Sequence, residues 1–366
     1  MSFIEHFEGL TDPRKPNPNK LYSVELILFL TISAVISGAN DWQEVAAFGS
    51  AKKEWLRKFV VIPEDRTPSH DTIGDFFARI KANEFINCFI SWVNSLTGVL
   101  SSDLIAIDGK TLRSSYDQAR GKKAIHMISA WSSTMRLSLA HLPVSDKTNE
   151  IKAIPDLLSL LELEGALITI DAMGCQKEIA KQITDDSKAD YILSVKGNQG
   201  HLLRDITDSF KSSRERDTAS TSDKDHGRIE YRTCSIMQDL RDIQNQEEWA
   251  GLKTIIKMGR ERTVISTNQT THETLYYISS RSMTSVQALA AIRSHWGIEN
   301  QLHYVLDVQF QEDNSRVRNG HADANLATIR KIALNMIKLN LDKGSINVKR
   351  HKAAWDDSFR ENIMKI

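Results

Sequence analysis

Cysteine is scarce: Cys88, Cys175 and Cys234 are the only three in 366 residues, and they stand far apart. No CxxC and no Cys/His spacing suited to zinc occurs, which excludes a disulfide framework and a zinc finger and fits a reducing cytosol. Long apolar runs are missing as well. The longest stretch, Leu21 to Ala39, is interrupted by Glu25 and falls short of the ~18–20 residues that span a bilayer. A buried helix is expected there, and no membrane partner. Met1 to His6 carries no basic region, so it does not read as a secretory signal. Neither sign of charge is in excess, with 47 Lys+Arg against 47 Asp+Glu. Divided along the chain, residues 1–100 hold 10 basic and 12 acidic side chains, residues 101–314 hold 26 and 30, and residues 315–366 hold 11 and 5. Only the tail is basic, so charge allows a polyanion partner without requiring one. The alternative for the tail is a solvated helix face.

What is present is an ordinary globular composition, 41% apolar and 26% charged, over a length that suggests two or three units. After the proline-punctuated lead-in Asp12 to Pro18, Leu21–Ser37 reads as a buried helix. Helical stretches follow at Asp41–Phe48, Lys52–Phe59, Ile73–Ile80 and Glu84–Leu96, giving an all-helical first unit. From Asp103 the pattern changes to apolar strands at Leu104–Ile107, Ala124–Ser132, Arg136–Pro143, Ala166–Ile170 and Tyr191–Val195. Helices at Ile151–Leu163 and Lys177–Thr184 intervene. The order β-β-β-α-β-α-β predicts an α/β sheet. Lys211–Arg228 is polar and reads as a loop or domain edge. Strand-like runs between Ile229 and Ser279 suggest a small β insertion, and Thr284 with Gln287 forms a capping box opening a long helix.

Two strands share an ending. Ile105-Ala106-Ile107 runs into Asp108-Gly109, and Ile168-Thr169-Ile170 runs into Asp171-Ala172. Ligands in open α/β sheets sit beyond the carboxyl ends of strands. Two carboxylates brought together there resist sharing a site unless a cation lies between them, and hard oxygen ligands suit Mg²⁺ or Mn²⁺. The alternative is that each Asp caps a turn. On the long helix, Val286, Leu289, Ile292, Trp296, Leu302 and Leu306 form an apolar stripe, and Glu299 fills its missing position. A carboxylate there needs a partner: the same metal site, or His295 or His303 one turn away on either side. Other motifs fail. Gly109-Lys110-Thr111 lacks the glycine a phosphate loop needs at the place of Leu104, and no His-Glu-x-x-His, Gly-x-Ser-x-Gly or strand-following GxGxxG exists. Cys175 reads as a quiet buried thiol.

Several fragments, each weak alone, are specific in this order and spacing. They are Asp12-Pro13-Arg14, Asp71-Thr72-Ile73-Gly74, Ile107-Asp108-Gly109-Lys110 and Ile170-Asp171-Ala172-Met173-Gly174-Cys175-Gln176. Then come Val195-Lys196-Gly197-Asn198-Gln199, His226-Gly227-Arg228-Ile229-Glu230 and His295-Trp296-Gly297-Ile298-Glu299-Asn300. Over nearly its whole length the chain resembles bacterial insertion-sequence transposases of the DDE type, nearest the ISAs-type, H-repeat-associated group. The resemblance implies an RNase H-like catalytic core interrupted by a β-rich insertion. The expected division is a helical N-terminal domain at 1–98 that recognises terminal repeats, core at 99–210, insertion at 211–282, and at 283–366 the Glu-bearing helix with basic C-terminal helices.

Matched residue by residue, the resemblance puts the catalytic and metal-binding triad on Asp108, Asp171 and Glu299, with Mg²⁺ or Mn²⁺ as cofactor. It implies double-stranded DNA as partner, both terminal inverted repeats and target. It further implies a homodimer in the DNA complex and a cytoplasmic, nucleoid-associated location. Lys110, Arg113, Lys196 and Asn198 are candidate DNA contacts beyond strand ends. The wider superfamily's Tyr-x2-Arg-x3-Glu-x6-Lys signature is absent, its other positions holding Ile292, His295 and Leu306. Arg293 or His295 are the candidates to replace its phosphate contacts. For the N-terminal unit, with its small acidic excess, Lys52, Lys53, Arg57 and Lys58 are the expected DNA-facing residues. The competing readings are a domesticated or inactive element protein that binds DNA without cutting, and an RNase H-like repair nuclease.

Overall fold

A computed structural model describes residues 3–15, 20–97, 100–116, 121–144, 150–212, 216–225 and 227–365. Pro16 to Pro18 of the lead-in, residue 98 at the expected first boundary and His226 lie outside these. Helix α1 (Val24–Ile36) starts where Ser23 accepts the Leu26 N–H, and every residue from Leu26 to Ile36 is buried. A helix apolar all round must be wrapped on every side. Its cover includes α2 (Trp42–Ala51) and three C-terminal helices, α11 (Ala322–Leu339), α12 (Ile346–Trp355) and α13 (Asp357–Met364). The short α3 (Lys53–Leu56), then α4 (His70–Arg79) and α5 (Ala82–Thr97), complete the N-terminal helices.

The sheet begins with an antiparallel meander of β1 (Leu104–Thr111), β2 (His126–Ser132) and β3 (Leu137–Val144). Crossovers through α6 (Glu150–Ser159) and α7 (Lys177–Lys181) add β4 (Leu167–Ile170) parallel to β1, and β5 (Asp190–Val195) parallel to β4. After α8 (Gly200–Ser209) come β6 (Asp217–Asp225), β7 (Arg228–Met237), β8 (Thr254–Val264) and β9 (Gln269–Ser279). Strand order is β3-β2-β1-β4-β5-β9-β8-β7-β6, in one nine-stranded sheet. The expected element order is therefore seen, with two corrections. The β-rich segment is not a separate excursion: Tyr276–Ser279 of β9 pairs antiparallel with Ile192–Val195 of β5. Without it β5 would be an open edge with unpaired backbone groups. The polar stretch expected as a loop contains β6, an outer strand whose Thr, Ser and charged residues suit a mostly solvated edge.

The chain returns through α9 (Ser285–Ile298), a π-helical turn at Glu299–His303, α10 (Tyr304–Phe310) and α11. No described helix is long and apolar enough to cross a membrane. α11 runs between the sheet and the N-terminal helices, so one hydrophobic cluster reaches from Phe7 to Met364. The basic tail is only in part a solvated face: Arg316, Arg318, Lys343, Lys352 and Lys365 are exposed, but the other cations turn inward. Arg330, Lys331, Lys349, Arg350 and Arg360 are buried. Arg350 donates to the carbonyls of Val35 and Ala39 at the end of α1, and Lys349 to those of Ile337 and Asn340. Cations suit the negative ends of helices, and here they join distant elements.

Candidate active site

The parallel ladder of β1 and β4 ends at the pair Ile107 and Ile170, so Asp108 and Asp171 leave adjacent strands side by side. β1 itself does not end at Asp108, as the sequence suggested; it continues to Thr111 against β2. The residue after Asp108 has to be glycine. A Cβ on Gly109 would lie 2.0 Å from Glu150 Oε1 and 2.6 Å from His126 Nε2, two buried side chains bonded to each other.

Glu299 comes from the opposite direction. α9 buries Ala288, Leu289, Ala291, Ile292 and Ile298, whereas Val286 and Trp296 are exposed. The apolar stripe drawn from the sequence is thus incorrect at both of those positions. Glu299 is likewise not a buried stripe residue: its side chain is 51% exposed. Ile298 takes the core position, and the π turn changes the register so that Leu302 and Leu306 continue the buried face. π turns within helices are frequent at functional sites.

The turn also carries His303. Its Nδ1 is 3.4 Å from Asp108 Oδ2 and 3.9 Å from Glu299 Oε2. One ligand atom from each of Asp108, Glu299 and His303 lies within 4.8 Å of the others. Ligands on opposite sides of an ion bound at about 2.1 Å are about 4.2 Å apart, so a small contraction brings these three onto one cation. Asp171 lines the same cavity, about 410 Å³, with Asp108, Lys196, Arg260, His295 and Glu299. Its Oδ1 accepts from the N–H groups of Met173 (3.0 Å) and Gly174 (3.4 Å), so the turn-capping role is present too.

The electrostatics are those of carboxylates crowded together. Burial, then the charges of Glu299 and Asp171, push the Asp108 carboxyl up to about 8. Burial, reinforced by nearby Lys110, pushes the His303 imidazole down to about 3, which leaves it neutral and able to ligate. Two carboxylates with an imidazole accept Mn²⁺ readily, and Mg²⁺ through the oxygens. Among the described residues the buried His303 Nε2 has no hydrogen-bond partner. Sequence reasoning treated His303 only as a bland partner for Glu299; its spacing of four from Glu299 was the available signal.

The other expected contacts are scattered. Lys110 does not face open solvent, because it bonds Asp307 and Glu312 and lies 3.7 Å from Asp313, so its charge is met inside the fold. Arg113 is 84% exposed, with Asp313 at 3.4 Å. Lys196 is exposed on the cavity wall. Asn198 donates to the Ala172 carbonyl and so ties the end of β5 to the turn after Asp171. Arg293 pairs with Asp223 of β6 at 2.9 Å, away from the acidic cavity. His295 lines that cavity and bonds Thr169 through Nδ1 at 2.9 Å; burial lowers its pKa. Arg260, missed in the sequence, closes the cavity with its guanidinium over the half-exposed Trp296 ring. Cys175 is buried, and burial pushes its thiol up to about 12, as a quiet thiol requires. The proposed N-terminal basic face is neutralised: Lys52 pairs with Asp357, Lys53 and Arg57 with Asp65, and Lys58 lies 3.8 Å from Glu361.

Comparison with known proteins points one way. The family described as "Transposase DDE domain" matches residues 100–336, and the one described as "DDE_Tnp_1-associated" matches residues 4–93. The "Putative transposase YncI" of Escherichia coli O157:H7 is 39% identical over 99% of this chain and 94% of its own length. The "H repeat-associated putative transposase YhhI" of Escherichia coli K12 is 39% identical over 99% of this chain and 97% of its own. A short match, 45% identical over 13% of this chain and 56% of the relative, is to the "Inactive transposase YbfQ" of the same strain.

Proposed function

This chain belongs to the DDE transposase family, and from that premise we propose that it is an active DNA transposase that cuts the ends of its element and joins them to target DNA. The observation that carries the reading is the convergence of Asp108, Glu299 and His303 within 4.8 Å, with Asp171 lining one cavity together with Asp108 and Glu299. The strand order β3-β2-β1-β4-β5, an antiparallel meander followed by two parallel strands, supports an RNase H-like core.

Asp108, Asp171 and Glu299, with His303, would hold Mg²⁺ or Mn²⁺, which supplies Lewis-acid stabilisation of charge at a phosphodiester. The remaining work falls to the protein. Burial and the charges of Glu299 and Asp171 favour a proton on Asp108 near neutral pH, and a cation held there would take that proton's place. Lys196 and Arg260 on the cavity wall supply positive charge to orient the scissile phosphate. His295, held by Thr169, fixes one side of the cavity. In the first step water attacks phosphorus and the strand's 3′-oxygen leaves with a proton. In the second that 3′-hydroxyl attacks a target phosphate in line. Terminal-repeat recognition by the N-terminal helices and pairing of two copies on DNA belong to the same reading. Labelled duplexes containing the DNA flanking the gene, incubated with protein and Mg²⁺ or Mn²⁺, are expected to be cut at the element boundary. Binding without cutting in either metal identifies the inactive, DNA-binding alternative.

A further inference from the structure

The motif Gly227-Arg228-Ile229-Glu230 plays no part in the acidic site, yet it opens β7 directly beside it. Residues two apart on a strand share a face, so Arg228, Glu230 and Arg232 lie together. The register with β8 sets Arg262 opposite Glu230, and Arg260 opposite Arg232. Glu230 is 5% exposed and receives four guanidiniums: Arg228 at 3.1 Å, Arg260 at 3.3 Å, Arg262 at 3.9 Å, and Arg232 in direct contact. Arg293 of α9 joins from above through Asp223, which Arg232 also contacts, and Glu273 lies 3.9 Å from Arg260. Among the described residues five arginines thus meet these three carboxylates, with Asp225 of β6 also opposite Arg228.

Arginine stays charged under all ordinary conditions, so this excess does not titrate away. Arg232 and Arg260 are like charges directly opposite on neighbouring strands, an arrangement that destabilises a sheet on its own. A fold that needed only to neutralise Glu230 would use one arginine. The side chains surround a cavity of about 350 Å³ lined by Arg228, Arg232, Arg260 and Arg293. It shares Arg260, Tyr277, Ile292 and Trp296 with the acidic cavity, so the two adjoin.

We infer that this arginine cavity is a binding subsite for a backbone phosphate of the DNA strand held in the acidic site, one next to the phosphate that reacts. Glu230 is the positioning residue that spreads the guanidiniums, and the phosphate supplies the missing negative charge. Guanidinium forks match phosphate oxygens in pairs, which suits a site that must hold a strand in register irrespective of its bases. The inference rests on the transposase reading for its ligand. It assigns to β7, β8 and α9 the strand-holding role for which Lys110, already satisfied by carboxylates, is not free.

The test uses the full-length protein and labelled duplexes carrying the DNA that flanks the gene. Affinity is measured against salt for the wild type, Arg228→Gln, Arg293→Gln and the double variant. Each variant is expected to bind several-fold more weakly at low salt, with the slope of log affinity on log salt shallower by about 0.9 per lost phosphate contact. Both side chains are more than a third exposed, so melting temperature should stay within about 2 °C of the wild type. A neutral methylphosphonate placed near the cleavage point should weaken wild-type binding at one position and leave the double variant unaffected there. Glu230→Gln is the second probe: it should lower the melting temperature while keeping or steepening the salt slope. An unchanged slope in the double variant, or binding lost only in proportion to stability, overturns the inference. Cleavage by the wild type is followed in parallel. If it cuts while the arginine variants keep the full slope, the subsite fails alone; if it never cuts in any metal, the catalytic reading fails while the slope still reports on the cavity.

Discussion

Asp108 couples burial to two neighbouring negative charges, and that coupling has a sign. Its carboxyl sits at about 8 in the folded protein against 3.8 in the unfolded chain. Between those values the native state holds a proton that the unfolded state has lost. Its stabilising contribution is therefore complete below about pH 4 and disappears as pH rises toward 8, with a slope of at most about 1.4 kcal/mol per pH unit. In chelator, melting temperature should fall from pH 5 to 9 more steeply for the wild type than for Asp108→Asn, and the variant should be the more stable at pH 9. Saturating Mn²⁺ should flatten the wild-type slope, because a cation substitutes for the proton. Parallel wild-type and variant curves would show that Asp108 ionises normally. His303 adds a second expectation. If its Nδ1 completes the ligand set, His303→Ala should weaken Mn²⁺ binding in titration calorimetry by about 10-fold or more, the scale for losing part of a metal's support. Unchanged affinity would return His303 to a packing role. The two Asp positions were legible in the sequence because an apolar strand ending in Asp is a local signal. His303 was not, because its approach to Asp108 depends on a turn made by distant packing.

At the scale of elements, strands and their order were readable from short apolar runs with turn residues between them. β6 was missed because its pattern is polar on both faces, and only pairing with β7 makes it a strand. The helix carrying Glu299 was anticipated, but its buried face was not, since a regular 3.6-residue period cannot foresee a π turn. The buried cations of the tail were equally hidden. Arg350 finds its carbonyl partners about 315 residues away in sequence, at Val35 and Ala39. α11 shows how such elements are fastened. β3 bulges at Leu139, since Ala130 pairs with Ala140 and Trp131 with Ser138. Asn335 of α11 accepts from the Ser138 N–H at 3.0 Å and donates to its carbonyl at 2.9 Å, satisfying backbone groups of this edge strand. Asn335→Ala would leave two buried backbone groups unpaired. Urea unfolding should show a loss of about 2–6 kcal/mol, from roughly 1–3 kcal/mol for each unpaired group. A loss below about 0.5 kcal/mol would mean that water or a backbone shift satisfies Ser138.

For the whole molecule, the shared core decides how the parts behave. Trp55 donates to Glu361, Lys52 pairs with Asp357, and Asn325 of α11 donates to the carbonyls of Phe77 and Ile80. The N-terminal helices are thus packed onto the C-terminal ones, and deleting residues 346–366 should lower the melting temperature of the remainder while exposing Trp55 to quenchers. Retention of wild-type stability and a protected Trp55 would show that the N-terminal helices stand by themselves. The same architecture brings the strand ends and the π turn together from opposite ends of the catalytic region, and the central claim is that Asp108, Asp171 and Glu299 serve one metal-dependent cutting site. Glu299→Gln tests it most directly. Its side chain is half exposed, so the exchange keeps shape and packing while removing the charge a cation needs. Cleavage of labelled end DNA in Mg²⁺ or Mn²⁺ should fall at least ~10²-fold, with melting temperature and DNA affinity unchanged. Asp108→Asn and Asp171→Asn should lose cleavage to the same extent, as members of one unit. Full cleavage by the Glu299→Gln protein would contradict the account.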